Sequence, residues 1–246
     1  MTLRLVLAAL LLGAVGCRGT LSPISNKLKV GEEPYVAFTA DGEDGVGDLF
    51  ASALSAGTAY QITFSRVDER LPALSPDGTM LAAVRSRAPG DTSAQSVFVM
   101  NLINGNERRI EGEISGMPDA LAWSDDGATL YLRTSAAVLQ AAAPPARGGW
   151  APATAEDPFA VRLGDPPIAV ALPCDSGGLC ARLAGGIVTR LSATGTNPVR
   201  WAGDSVGYME NGEWLVRPLA GGTIRALHWS ERVKAPRELS VYPGPR

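Results

Sequence analysis

The chain has 246 residues, 46% hydrophobic, 19% charged and 6% aromatic, with 28 Gly, 18 Pro, 3 Cys and a single His. That length can bury a real core in one large domain or two small ones, and its Gly and Pro, roughly 19% against a background of about 12%, argue against a helical bundle. A formal charge of −3 with no local Lys/Arg cluster disfavours nucleic acid as a partner, and one His with three Cys leaves few ligands for a zinc enzyme.

The first segment is an export address. Arg4 precedes the apolar run Leu5–Leu12, which closes in Gly13-Ala14-Val15-Gly16-Cys17. At about 1.5 Å per residue the run is too short to cross about 30 Å of hydrocarbon, so it reads as a signal-peptide core. Its end resembles a bacterial lipobox, with Ala14 where Leu is usual. The resemblance implies cleavage after Gly16 and a lipid on the Cys17 sulfur. Several acyl chains, at about 0.8 kcal/mol per buried methylene, anchor where one does not. Arg18 after the cysteine, by resemblance to enteric sorting signals, favours the outer membrane over the inner. The alternative is an ordinary signal peptide that leaves Cys17 as a spare thiol. Residues 17–34 are expected to form a lipidated tether, with the folded domain spanning 35–246.

From Tyr35 onward, short apolar stretches alternate with turn residues, and no helical period persists. Tyr35-Val36-Ala37-Phe38, Leu49–Leu54 and Gln61-Ile62-Thr63-Phe64 are expected strands. The next unit is clearer: Pro72-Ala73-Leu74, the turn Ser75-Pro76-Asp77-Gly78, Met80–Ser86, then Ser96–Leu102 and Glu107–Ile110. It recurs at Ala120–Trp123, Ser124-Asp125-Asp126-Gly127 and Thr129–Arg133. Asp77 and Asp126 are 49 residues apart, a spacing in the range of propeller blades. Each Asp-Gly reads as a hairpin turn in which Gly supplies positive φ. Residues 141–166, rich in Ala, Pro and Gly around Trp150, form an irregular insertion with room for a decayed strand. Residues 167–191 make one compact blade. Pro198–Met209, Glu213–Leu219 and Gly221–Leu227 follow the layout of 72–110.

The unit Ser-Pro-Asp-Gly-x-x-Leu-Ala, followed by a strand ending in Asn-Leu and a Gly turn, resembles the WD-like repeats of TolB-type β-propellers. The match is strongest at 72–110, good at 119–133 and recognisable at 35–64. It implies an all-β fold of about five four-stranded blades, with space for a sixth, partly degenerate one. Dividing residues 35–246 at about 43 residues per blade also gives five. The family carries six blades and a separate N-terminal domain, so the resemblance is to the propeller alone.

Export changes the meaning of the other cysteines. Cys174 and Cys180 enclose Asp175-Ser176-Gly177-Gly178-Leu179. In an oxidising compartment that pair reads as a disulfide rather than a metal or redox site, two buried thiols being the alternative. Other candidate chemistry is thin. Gly203-Asp204-Ser205-Val206-Gly207 fits the nucleophile-elbow pattern, which needs a helix after it and an acid and a histidine downstream. A strand pattern follows instead, and His228 is the only histidine. Asp41–Asp48 packs four acids among glycines, oxygen ligands of the kind calcium takes, but without the ligand spacing of an EF-hand. Solvated turns are the other reading. Trp123, Trp201 and Trp214 are expected in packing, and Arg66, Arg70, Arg85, Arg87, Arg108 and Arg109 in a solvated rim. No catalytic residue, cofactor or metal site is assigned. The expected function is a non-enzymatic, lipid-anchored scaffold facing the periplasm that binds an envelope protein. The alternatives are a funnel enzyme, such as a lyase or hydrolase, and an accessory structural lipoprotein.

Overall fold

The structure is a computed structural model and describes residues 23–91, 93–155, 157–164, 166–231 and 233–245. The signal segment and Cys17 lie outside the described residues. A short 3-10 helix, Ile24–Asn26, precedes β1 (Tyr35–Asp41), β2 (Gly47–Ala53) and β3 (Ala59–Gln61). Then come β4 (Asp68–Leu74), β5 (Met80–Ser86), β6 (Ser96–Asn101) and β7 (Glu107–Arg109). The next set is β8 (Pro118–Trp123), β9 (Thr129–Thr134), β10 (Val138–Ala142) and β11 (Ala151–Pro152). After it run β12 (Val161–Leu163), β13 (Ala169–Pro173), β14 (Leu179–Leu183) and β15 (Val188–Ser192). The last are β16 (Thr196–Arg200), β17 (Ser205–Glu210), β18 (Glu213–Pro218), β19 (Arg225–Ala226) and β20 (Lys234–Tyr242).

These strands form five antiparallel four-stranded sheets, the blades of a propeller. Blade I is β20-β1-β2-β3, and blades II to V follow chain order from β4-β5-β6-β7 to β16-β17-β18-β19. The C-terminal strand therefore supplies the innermost strand of the blade whose other three come from the N-terminal end. Thus Tyr35 begins a second strand, and the turn after Asp41 is not the counterpart of Asp77-Gly78. That turn joins second and third strands, whereas Asp77-Gly78 joins first and second. In the insertion, Ala141–Ala142 finish β10, Gly149 bridges Glu111, Ala151–Pro152 complete blade III and Val161–Leu163 open blade IV.

Repeated sequence produces repeated hydrogen bonding at the first turns of blades II and III. Ser75 Oγ donates to Asp77 and accepts from the Met80 N–H, and Thr79 N–H also donates to Asp77. Ser124, Asp126, Ala128 and Thr129 form the same cage. Gly78 and Gly127 close it at φ 69° and 71°. In blade IV, Cys174 stands at the serine position: its carbonyl accepts from Gly177 N–H as that of Ser75 accepts from Gly78. There a Cys174–Cys180 disulfide replaces the serine–aspartate cage. Chain-entropy arithmetic for a loop of about seven residues gives this bridge about 2.4 kcal/mol. Reduction is expected to lower stability by about that much in a denaturant titration, and both thiols should resist alkylation until reductant is added. Free reaction of both thiols in protein purified without reductant would contradict the bridge.

The interior lies between blades. Tyr35, Leu49, Leu81, Phe98, Leu102 and Tyr242 join blades I and II. Val84, Val97, Val99, Leu130 and Leu132 join II and III. Leu163, Ala171, Leu179, Val206 and Tyr208 join IV and V. Phe38, Trp201, Trp214, Val216 and Leu239 join V and I. Among the described residues no such cluster joins blades III and IV. Upstream, Ile24 and Val30 pack into the I–II cluster, and Tyr242 donates to the Gly31 carbonyl. The described part of the expected tether thus lies against the propeller.

The carboxylate of Asp77 makes the turn pH-sensitive. Burial opposes its charge, but the Ser75 and Thr79 bonds outweigh it and hold its carboxyl below the ordinary value. A depressed folded pKa means the stabilisation is complete above the unfolded value, near 3.8. It is lost as pH falls through the folded one. Thermal melts between about pH 5 and pH 2 should show Asp77→Asn losing part of the acid sensitivity of the wild type. Identical profiles would refute the cage's electrostatic role.

Candidate functional site

The Gly203–Gly207 pentapeptide folds as a hairpin entry, not an elbow. Ser205 opens strand β17, and Trp201 N–H donates to its carbonyl across a tight turn. Gly207 is needed for packing, since a Cβ there would lie 3.0 Å from the Trp201 ring and 2.8 Å from Val199. His228 is exposed just before Trp229, and its carbonyl accepts from Gly57 N–H. No hydrogen bond links Ser205 to a histidine or acid among the described residues.

The acidic stretch 41–48 is divided among separate partners. Asp41 pairs with Arg237 at 2.6 Å. Asp44 caps the Val46 N–H. Asp48 is buried and accepts from Gln61, Thr63 and the Ser65 N–H. Burial pushes the Asp48 carboxyl up against those bonds. Among the described residues no three His, Cys, Asp or Glu side chains converge to hold a metal.

The arginines expected in a solvated rim are partly structural instead. Arg85 lies between Glu69 and Glu107, 2.7 Å from each, with its guanidinium 4.0 Å from the Phe98 ring centre. Glu69 is fully buried, and burial raises its carboxyl despite Thr63 and Arg85. Arg70 donates to the Pro118 carbonyl and Arg108 to that of Pro145, so both tie blade II to blade III. Sequence spacing hides this because partners lie 16 to 48 residues apart. Trp123 bonds the Ala73 carbonyl at 2.8 Å, again across two blades.

Among the described residues, three surfaces offer room for binding. At one end of the axis, β4, β8, β16 and β20 surround a cavity of about 230 Å³ lined by Ser75, Trp123, Asp125, Arg200 and Ser240. Between blades V and I an open groove of about 700 Å³ is walled by Leu54, Trp201, Val216 and Ile224, with Ser205 and Arg225 at its edge. The third is the face of blade IV turned toward blade III. Leu163, Ala171, Leu179 and Ala181 face blade V, so alternation places Arg162, Val170, Leu172 and Arg182 on the opposite side. Ile168 and Val188, at 42% and 53% exposure, belong to the same bare side. Arg162 and Arg182 have no partner among the described residues.

This architecture defines the class: a five-bladed β-propeller in which, among the described residues, no buried cluster joins blades III and IV. No protein-family model matches the chain, and no curated protein matches it. Among solved structures it is similar to TolB from Acinetobacter baumannii, at 15% identity over 89% of this chain and 69% of that one, with a TM-score of 0.45. It is similar also to a TolB described from Agrobacterium tumefaciens, at 14% identity over 85% and 69%, TM-score 0.42. A chain of a nidogen–laminin complex matches at 11% identity over 84% and 80%, TM-score 0.47.

Proposed function

We propose that the protein is a non-enzymatic binding scaffold, held by lipid at Cys17 to the periplasmic side of the outer membrane, that engages a protein of the cell envelope. The carrying observation is the blade IV face turned toward blade III, where exposed Ile168 and Val188 lie beside Arg162 and Arg182, which have no side-chain partner among the described residues. Exposed aliphatic clusters rimmed by charge mark protein-binding surfaces. The loops of a repeated frame vary without disturbing it. The lipid anchor rests on the sequence Leu5–Cys17. Cys17→Ser is expected to move the protein from membranes to the soluble periplasmic fraction. Membrane retention of that variant would count against the anchor. Crosslinking in intact envelopes, followed by purification of the full chain, separates a scaffold from an accessory lipoprotein: the scaffold yields a specific protein adduct.

A further inference from the structure

The two walls of the III–IV junction differ. On blade III the connection to blade IV covers the sheet: Thr154 donates to Gln140 from its N–H, and Phe159 lies 5.1 Å from the Arg133 guanidinium. Arg133 is further neutralised by Asp119 at 2.7 Å. On blade IV no comparable side-chain contact occurs among the described residues. The register sets Arg162 opposite Val170, Val170 opposite Arg182, and Arg182 opposite Val188, one row across all four strands. Leu172 and Arg190 belong to the next row. Arg190 is already engaged with the Gly177 carbonyl, which leaves Arg162 and Arg182 as the cations of this face without a side-chain partner among the described residues.

We propose that this row docks a segment of another protein that carries carboxylates on either side of an apolar side chain. The proposal rests on the scaffold reading and names its partner's chemistry. Arg162 and Arg182 are two strands apart, about 10 Å at the usual strand spacing, with Val170 between them. Two carboxylates at that separation satisfy both guanidinium groups, which present planar forks suited to carboxylate. The side chain between them covers Val170, and the segment continues onto Val188 and Ile168. A second copy joined about a twofold axis would set these arginines against each other, a repulsive arrangement. A lipid surface is flat, whereas this face is turned toward blade III.

The test places a photoreactive amino acid at position 188 of the full chain in its native envelope, with position 103 of blade II, also exposed, as the control. The expected adduct at 188 is one other protein, joined through an acidic and apolar segment. A synthetic peptide of that segment should bind the purified chain. Arg162→Glu with Arg182→Glu should weaken it by at least about tenfold at unchanged melting temperature, while the two Arg→Lys changes, which keep the charge and lose the planar fork, should weaken it less. Added salt should weaken wild-type binding. Adducts to a second copy, to phospholipid or to a segment without carboxylates would overturn the proposal, as would none above the control. A protein adduct at 103 alone would leave the scaffold reading standing and remove this face from it. Absence of protein adducts at both positions, and in whole-envelope crosslinking, would remove both.

Discussion

Gly78→Val is expected to cost about 3–5 kcal/mol, the sum of left-handed strain and overpacking, and Gly127→Val only about 1–2 kcal/mol from strain alone. Both glycines hold positive φ in the same hydrogen-bonded cage. Their surroundings differ. A Cβ at Gly78 would lie 2.6 Å from the Tyr242 ring, whereas at Gly127 its nearest neighbour is Pro76 at 3.6 Å. Tyr242 cannot yield: it is 2% exposed, its ring centre is 5.6 Å from that of Tyr35, and its hydroxyl bonds Gly31. Tyr35 in turn donates to the Gly78 carbonyl. Urea titrations of the two variants measure the difference directly. Equal losses would mean that the ring closure does not bear on the blade II turn.

That asymmetry marks how far the sequence carries. Ser75-Pro76-Asp77-Gly78 and Ser124-Asp125-Asp126-Gly127 announce their turns because the whole cage is local, closed within six residues. Strand alternation likewise points to blades, because side-chain direction depends only on position along the strand. Closure by β20 is not legible. Its pairing with Tyr35–Asp41 joins residues some 200 positions apart, and Lys234–Tyr242 carries no repeat motif. The III–IV junction is hidden for a related reason: Val170 and Leu172 resemble core residues in sequence, yet they are only half-buried, and among the described residues no opposing cluster joins them to blade III. The blade II arginines mislead in the opposite sense, since exposure of Arg85 cannot be judged without the Glu69 and Phe98 that enclose it.

Trp214→Ala is expected to cost about 3–5 kcal/mol, as large aromatic truncations in a core do, and to act on ring closure rather than on blade V alone. Trp214 is 1% exposed in the cluster joining blades V and I, and its indole N–H donates to the Pro236 carbonyl of β20 at 3.1 Å. The substitution therefore opens a cavity and leaves a carbonyl of the closing strand without its donor. Trp214→Phe keeps most of the apolar volume and loses the hydrogen bond, so its cost should fall to about 1–2 kcal/mol. Hydrogen exchange distinguishes closure from local damage. If Trp214 secures β20, amides of β20 and β1 should exchange faster in Trp214→Ala while those of blade III keep their protection. Equal acceleration throughout would show that the ring unfolds as one cooperative unit. Faster exchange confined to β17 and β18 would place the effect inside blade V and leave closure to Tyr35, Tyr242 and the β20–β1 hydrogen bonds.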